Sequence, residues 1–130
     1  MLTSAKPDLD AYNNAMSMTT AQLVTALRDL LGVKLVAYLG RVKETRAVRQ
    51  WAEGTRSIAN PADVDRLRVA YRAAAVITAR DSEQVAQAWF QGLNPLLDDR
   101  SPARVLRDGD QLHFQDSGAS CSIAPDQSRQ

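Results

Sequence analysis

Apolar positions recur along this chain with a helical period, in blocks set apart by glycine, proline and asparagine. Leu23, Leu27, Leu30 and Leu31 stand at i, i+4, i+7 and i+8 and predict a helix over about 21–31, capped by Thr19 or Thr20 and closed by Gly32. Leu35, Val36 and Leu39 predict a second, short helix over about 34–39 that ends at Gly40. Ala47, Val48 and Trp51 share one side of a third, over about 45–53, which stops at Gly54. Asn60-Pro61 is a cap followed by a proline at the first helical position, and it opens the longest helix, to about residue 79. Val64, Leu67, Tyr71, Ala74, Ala75 and Thr78 form its stripe, and its outer face is expected to carry Arg66, Arg68 and Arg72. A fifth helix runs from a cap near Asp81 or Ser82 to Gln91 and carries Val85, Ala88, Trp89 and Phe90. Trp89 and Phe90 are adjacent and cannot both point inward, so one of them is either half-buried or an interface anchor. Ser101-Pro102 starts a sixth helix that Gly109 ends after Asp108. Leu112-His113-Phe114 reads as a strand fragment or an extended segment. No internal repeat and no convincing sheet emerges, so the expected fold class is all-α, a small helical bundle.

Composition narrows the picture. At 130 residues, with 45% apolar content and a net charge of +1, the chain fits one compact domain and is no polycation. The polar first stretch, residues 1–18, reads as a flexible N-terminal segment, and residues 115–130 as a flexible, acidic tail. A single cysteine, Cys121, allows no intrachain disulfide and fits a reducing compartment. Met1 to Asn14 has no apolar core, and no run approaches the roughly 20 apolar residues of a spanning helix. The expected location is therefore cytoplasmic, with no membrane partner.

Charge is distributed unevenly. Residues 34–56 hold six Lys/Arg against two Glu, and residues 57–80 hold four Arg against two Asp. Residues 81–130 reverse this, with four Arg against eight acids. A basic middle and an acidic end suit two different partners, an anion such as DNA at one and something else at the other. Ordinary variation over a surface is the plainer alternative.

Within the basic middle, Leu35 to Gly54 is patterned like a helix-turn-helix: a short apolar helix, a glycine-containing turn, then a helix with a buried Val-x-x-Trp. The second helix of such a motif enters the major groove, where arginine reads guanine and glutamine reads adenine through paired hydrogen bonds. Arg46, Arg49 and Gln50 are the candidate base readers, with Glu44 and Thr45 beside the helix start. Lys43, Arg41 and Arg56 suit phosphates. Against this, the connection before Val48 is long for the motif, and Glu53 on the same face repels phosphate. A helical bundle with an ordinary solvated face stays open beside DNA binding.

Little here suggests catalysis. His113 is the only histidine and Cys121 lies in the polar tail, so neither a metal cluster nor a supported nucleophile–base pair is expected. No Gly-rich phosphate loop occurs. Asp98-Asp99 and Asp108 with Asp110 read as carboxylates of solvated turns. The chain is expected not to be an enzyme, and to need no cofactor and no metal.

The stretch from Gln91 to Asp110, QGLNPLLDDRSPARVLRDGD, is the most specific. Its order is Asn-Pro, Arg-Ser-Pro, a short apolar helix and Asp-Gly-Asp. With the aromatic-bearing helix before it, it resembles the toxin-binding domain of the Xre/ParS/MbcA antitoxins. The likeness covers about residues 20–110. It implies an Xre-like helix-turn-helix part over residues 19–58 and a toxin-binding part over residues 59–114. It also implies a partner, a RES-domain toxin that consumes NAD⁺, which the antitoxin blocks in a type II toxin–antitoxin system, partly with its C-terminal segment, the complex repressing its own operon. Asn94, Pro95, Arg100, Ser101, Pro102 and Leu106 match the motif, and Trp89, Asp108 and Asp110 join them as expected toxin-binding residues. Asp108, Asp110 and Asp116 would pair with toxin groups that otherwise hold the pyrophosphate of NAD⁺. Asp99 stands where family members usually have glycine, and the tail after Asp110 does not align. A rival reading is a stand-alone helix-turn-helix transcriptional regulator, and a third is a plain helical interaction domain. A homodimer or a larger assembly with the toxin is expected, because one helix-turn-helix on half a site binds weakly.

Overall fold

The computed structural model describes residues 7–109 together with the backbone of residues 112–114 and 121–123. Seven helices occur among them: α1 (Pro7–Ser17), α2 (Thr20–Leu31), α3 (Val33–Leu39), α4 (Thr45–Glu53), α5 (Pro61–Arg80), α6 (Glu83–Gln91) and α7 (Pro102–Asp108). A short 3-10 turn, Pro95–Leu97, lies between α6 and α7. The described chain is thus mostly helical. Its one sheet is a hairpin of two three-residue strands, β1 (Leu112–Phe114) and β2 (Cys121–Ile123). No described helix is long and apolar enough to cross a membrane.

Local chemistry sets the helix limits. Thr19 accepts a hydrogen bond from the Gln22 N–H, and the Gln22 side chain accepts one from the Thr19 N–H, a reciprocal cap that starts α2. The Asn60 side chain accepts from the Ala62 N–H, with Pro61 as the first residue of α5. Ser82 caps α6 by accepting from the Val85 N–H.

The α5 helix, about 30 Å long at 1.5 Å per residue, is the centre of the packing. Leu67, Ala70, Ala73, Ala74, Val76 and Ile77 are buried on it, among α1, α2, α3, α6 and α7. So many alanines let neighbouring helices approach closely. Leu23, Val24, Leu27, Val36, Leu39, Val48 and Phe90 complete the main core.

Two expectations fail here. Where a loose N-terminal segment was expected, α1 forms and lies along α5. Ala11 and Ala15 are buried, while Leu9 and Met16 stay exposed. The arginines expected on an outer face of α5 are not free: Arg68 meets the end of α1, and Arg66 meets the end of α3. Arg68 donates to the Ala15 carbonyl and, at 3.1 Å, to the Met18 carbonyl, satisfying the C-terminal end of α1. Arg66 is buried, pairs with Asp63 at 2.7 Å and donates to the Leu39 carbonyl at 3.2 Å. A charge so placed holds only while its partners remain.

One glycine is fixed by close approach. The Trp51 ring packs on Gly40, and a Cβ there would lie 2.8 Å from it and 3.3 Å from the Val36 carbonyl. Gly40→Ala is therefore expected to cost about 1–3 kcal/mol. The check is the urea midpoint together with the tryptophan emission, which should shift as Trp51 is displaced. An unchanged midpoint and spectrum would mean that the ring does not sit there.

The hairpin is the second departure. The sequence leaves residues 115–130 as a flexible tail, yet β2 lies inside that stretch and pairs antiparallel with β1. Its register sets Cys121 against Phe114, and His113 against Ser122, so the strands do not place the lone cysteine opposite the lone histidine. The β2 backbone runs beside the Pro95–Leu97 turn.

Candidate functional site

Two surfaces carry the candidate residues, one on α6 to α7 and one on α3 to α4.

The first is built around the loop between α6 and α7. Phe90 is fully buried in the main core, and Trp89 is half-buried with its ring edge-on to Phe90 at 4.9 Å. Trp89 also packs on a small separate cluster, Leu97 and Val105, both fully buried. Leu97 is thus the pin that holds the loop to α7. Asn94 organises the rest. Its side chain accepts from the Leu96 N–H at 2.9 Å, its carbonyl accepts from the N–H groups of Leu97 and Asp99, and its own N–H donates to the Arg100 carbonyl. Asn94 and Arg100 form an antiparallel bridge across the base of the loop. Arg100 then pairs with Asp108 at 3.2 Å, and Arg104 reaches the same carboxylate at 3.6 Å. Ser101 caps α7 by accepting from the Arg104 N–H, and Pro102 begins the helix.

Most residues read as toxin-binding therefore have internal work. Asn94 and Ser101 are caps, Arg100 and Asp108 form a clamp, and Pro102 and Leu106 are buried. Pro95 is exposed on the turn, and Trp89 is half-exposed. Asp110 and Asp116 lie outside the described residues. Among its exposed residues, which include Asp98, Asp99 and Arg104, this frame presents aliphatic side chains outward: Leu93 is 76% exposed, Leu96 63% and Val85 41%. These leucines follow no helical period in the sequence. The available signal was two large aliphatic residues flanking a rigid Asn-Pro turn.

Asp98 and Asp99 both adopt the left-handed conformation, with φ of +58° and +61°. Asp99 thus takes the backbone that the glycine of the resembled family would take without strain. Asp99→Gly is expected to leave the fold intact and to raise stability by up to about 1 kcal/mol, the left-handed penalty less the extra entropy of an unfolded glycine. A lowered urea midpoint would show that the aspartate side chain supports the turn.

The second surface is the α3–α4 pair. The connection, residues 40–44, is five residues long, against the 3–4 usual between helix-turn-helix helices. On α4, Ala47, Val48 and Trp51 are buried, so the helix packs through the face the sequence predicts. Lys43, Glu44, Thr45, Arg46 and Arg49 are exposed and Gln50 is half-buried, all beside the start of α4 or along its outer side. One expected phosphate contact is not free. Arg41, left-handed at φ +61°, donates through Nε at 2.9 Å and through Nη2 to the Arg107 carbonyl at the end of α7. Arg107 answers by donating to the Tyr38 carbonyl and stacking over the Tyr38 ring at 4.7 Å. By contrast, the side chains of Lys34, Lys43, Arg46, Arg49 and Arg56 enter no ion pair or hydrogen bond among the described residues.

Comparison with protein-family models, with curated proteins and with solved structures gives no match to this chain.

Proposed function

We propose that the chain is an antitoxin that binds and blocks a RES-domain toxin through the α6–α7 face, is not itself an enzyme, and also represses its own operon. The supporting observation is the pair Leu93 and Leu96, held out on a loop whose backbone is tied at every turn. Exposed aliphatic side chains on a rigid frame lose little entropy on docking, which favours affinity. The half-buried Trp89 beside them supplies an aromatic anchor. The β2 backbone, running beside the same loop, sets a C-terminal part of the chain next to this face, which fits a tail that enters the partner's cleft. Co-expression of the chain with a RES-domain toxin encoded beside it, followed by pull-down, tests the reading. A toxin that stays unbound and fully active with the chain in excess would defeat it.

A specific observation favours a second reading, a DNA-binding regulator: among the described residues, the unpartnered cations Lys34, Lys43, Arg46, Arg49 and Arg56 gather on and beside α3–α4 while most others are tied up internally. On this reading Arg49→Ala weakens binding to the promoter fragment about tenfold, the size expected for one base or phosphate contact. A shift assay at low salt measures it, and equal shifts by the variant and the parent chain would exclude a role for Arg49.

A further inference from the structure

We propose that the surface on either side of the α4 start is one continuous trough that seats a phosphodiester backbone of duplex DNA, with Lys34, Lys43 and Arg56 as its phosphate contacts. The proposal rests on the DNA-binding reading and says how such DNA would be held. Two concavities meet there and share Val42 and Lys43 as their common floor and edge. The first extends past Arg46 and Gln50 to Arg56. The second extends past Thr45 to Lys34 and is walled by Tyr38 and Arg107. Cations therefore stand at both ends and in the middle of the trough, and none of Lys34, Lys43 and Arg56 is committed to a partner among the described residues.

The walls explain why this surface is shaped for a backbone strand. Tyr38 is fixed by the Arg107 guanidinium over its ring, and Arg107 is fixed in turn through Arg41. One wall thus comes from α7, the helix that also carries Asp108, the partner of Arg100. Glu44 is the one carboxylate among the described residues that line either concavity. Duplex DNA fits better than an acidic protein segment because the cations are spread along the trough and are not gathered at one point. A phosphate chain carries its charges at regular intervals along its length. The base-facing side chains Arg46 and Arg49 stand beside it on the same helix.

The test uses the full chain and a fluorescein-labelled 20-base-pair duplex of arbitrary sequence, because phosphate contacts do not depend on sequence. Anisotropy titrations between 50 and 200 mM salt give the slope of log affinity against log salt. The double variant Lys34→Ala/Arg56→Ala is expected to make that slope shallower by about 1.8, two phosphates at about 0.9 each. A matched control, Arg28→Gln/Arg80→Gln, removes the same charge away from the trough and is expected to leave the slope unchanged. Circular dichroism confirms that both variants are folded. If the duplex binds but the two variants change the slope equally, the trough is wrong and the DNA reading stands. No binding by the parent chain at 50 mM salt removes both. Displacement of the duplex by polyglutamate at equal charge concentration would show that an acidic polypeptide is the occupant, and would overturn the proposal.

Discussion

Changing Leu93 and Leu96 together to aspartate is expected to abolish partner capture while leaving the fold in place. Both side chains stand in solvent, 76% and 63% exposed, so their replacement removes almost no packing. Substitutions of that kind usually change stability by no more than about 0.5 kcal/mol. In a complex the same two positions would be desolvated, and each anchor residue of an interface typically contributes about 2 kcal/mol or more. Two carboxylates forced into an apolar contact should therefore weaken binding by at least about a thousandfold. Pull-down of the co-expressed toxin reads the loss, and a melting curve shows that the variant is folded. Retained capture would place the interface elsewhere on the chain. The nearby caps are poor sites for this experiment, since altering Asn94 or Ser101 disturbs the frame and the surface at once.

The largest loss of stability is expected from Phe90→Ala. Phe90 is fully buried and joins α6 to the main core, and its ring meets Trp89 edge-on. Removing a buried phenyl ring costs about 3–5 kcal/mol, against the roughly 5–15 kcal/mol that a domain of this size has in total. Urea unfolding at equilibrium measures the difference. A cost below about 1 kcal/mol would contradict the burial described for α6. Because Trp89 also touches Leu97 and Val105, the variant should loosen the α6–α7 loop as well, lowering proteolytic resistance there first.

How far these features can be read from the amino acids alone depends on the kind of signal. Helix ends marked by local chemistry were legible: Thr45–Glu53 with Gly54 after it, and Ser101-Pro102 through Asp108 with Gly109 after it, fall where expected. Long-range packing was not. Among the described residues of α1, Ala11 and Ala15 are the buried ones, small side chains that do not stand out among asparagines and serines. With that helix unseen, a helical wheel assigns Arg68 to solvent, whereas it satisfies carbonyls at the end of α1. Arg66 was misread in the same way, because nothing local shows that the end of α3 lies against it. At the α6–α7 loop the residues that stand out in the sequence, Asn94, Ser101 and Pro102, are engaged in the turn and in the start of α7. Turn-forming residues are conspicuous in a sequence because backbone geometry demands them, and for that reason they tend to be consumed by the turn. The outward leucines follow from the shape of that turn, which no periodicity encodes.

The hold of Arg41 on the Arg107 carbonyl has a mechanical meaning. It bolts the last turn of one surface to the elbow of the other, across 66 positions of sequence. Stress applied to the end of α7 is therefore felt at Tyr38 and at the elbow before α4. If that turn frays, the Arg41 guanidinium is released with its full charge beside the basic side of the molecule.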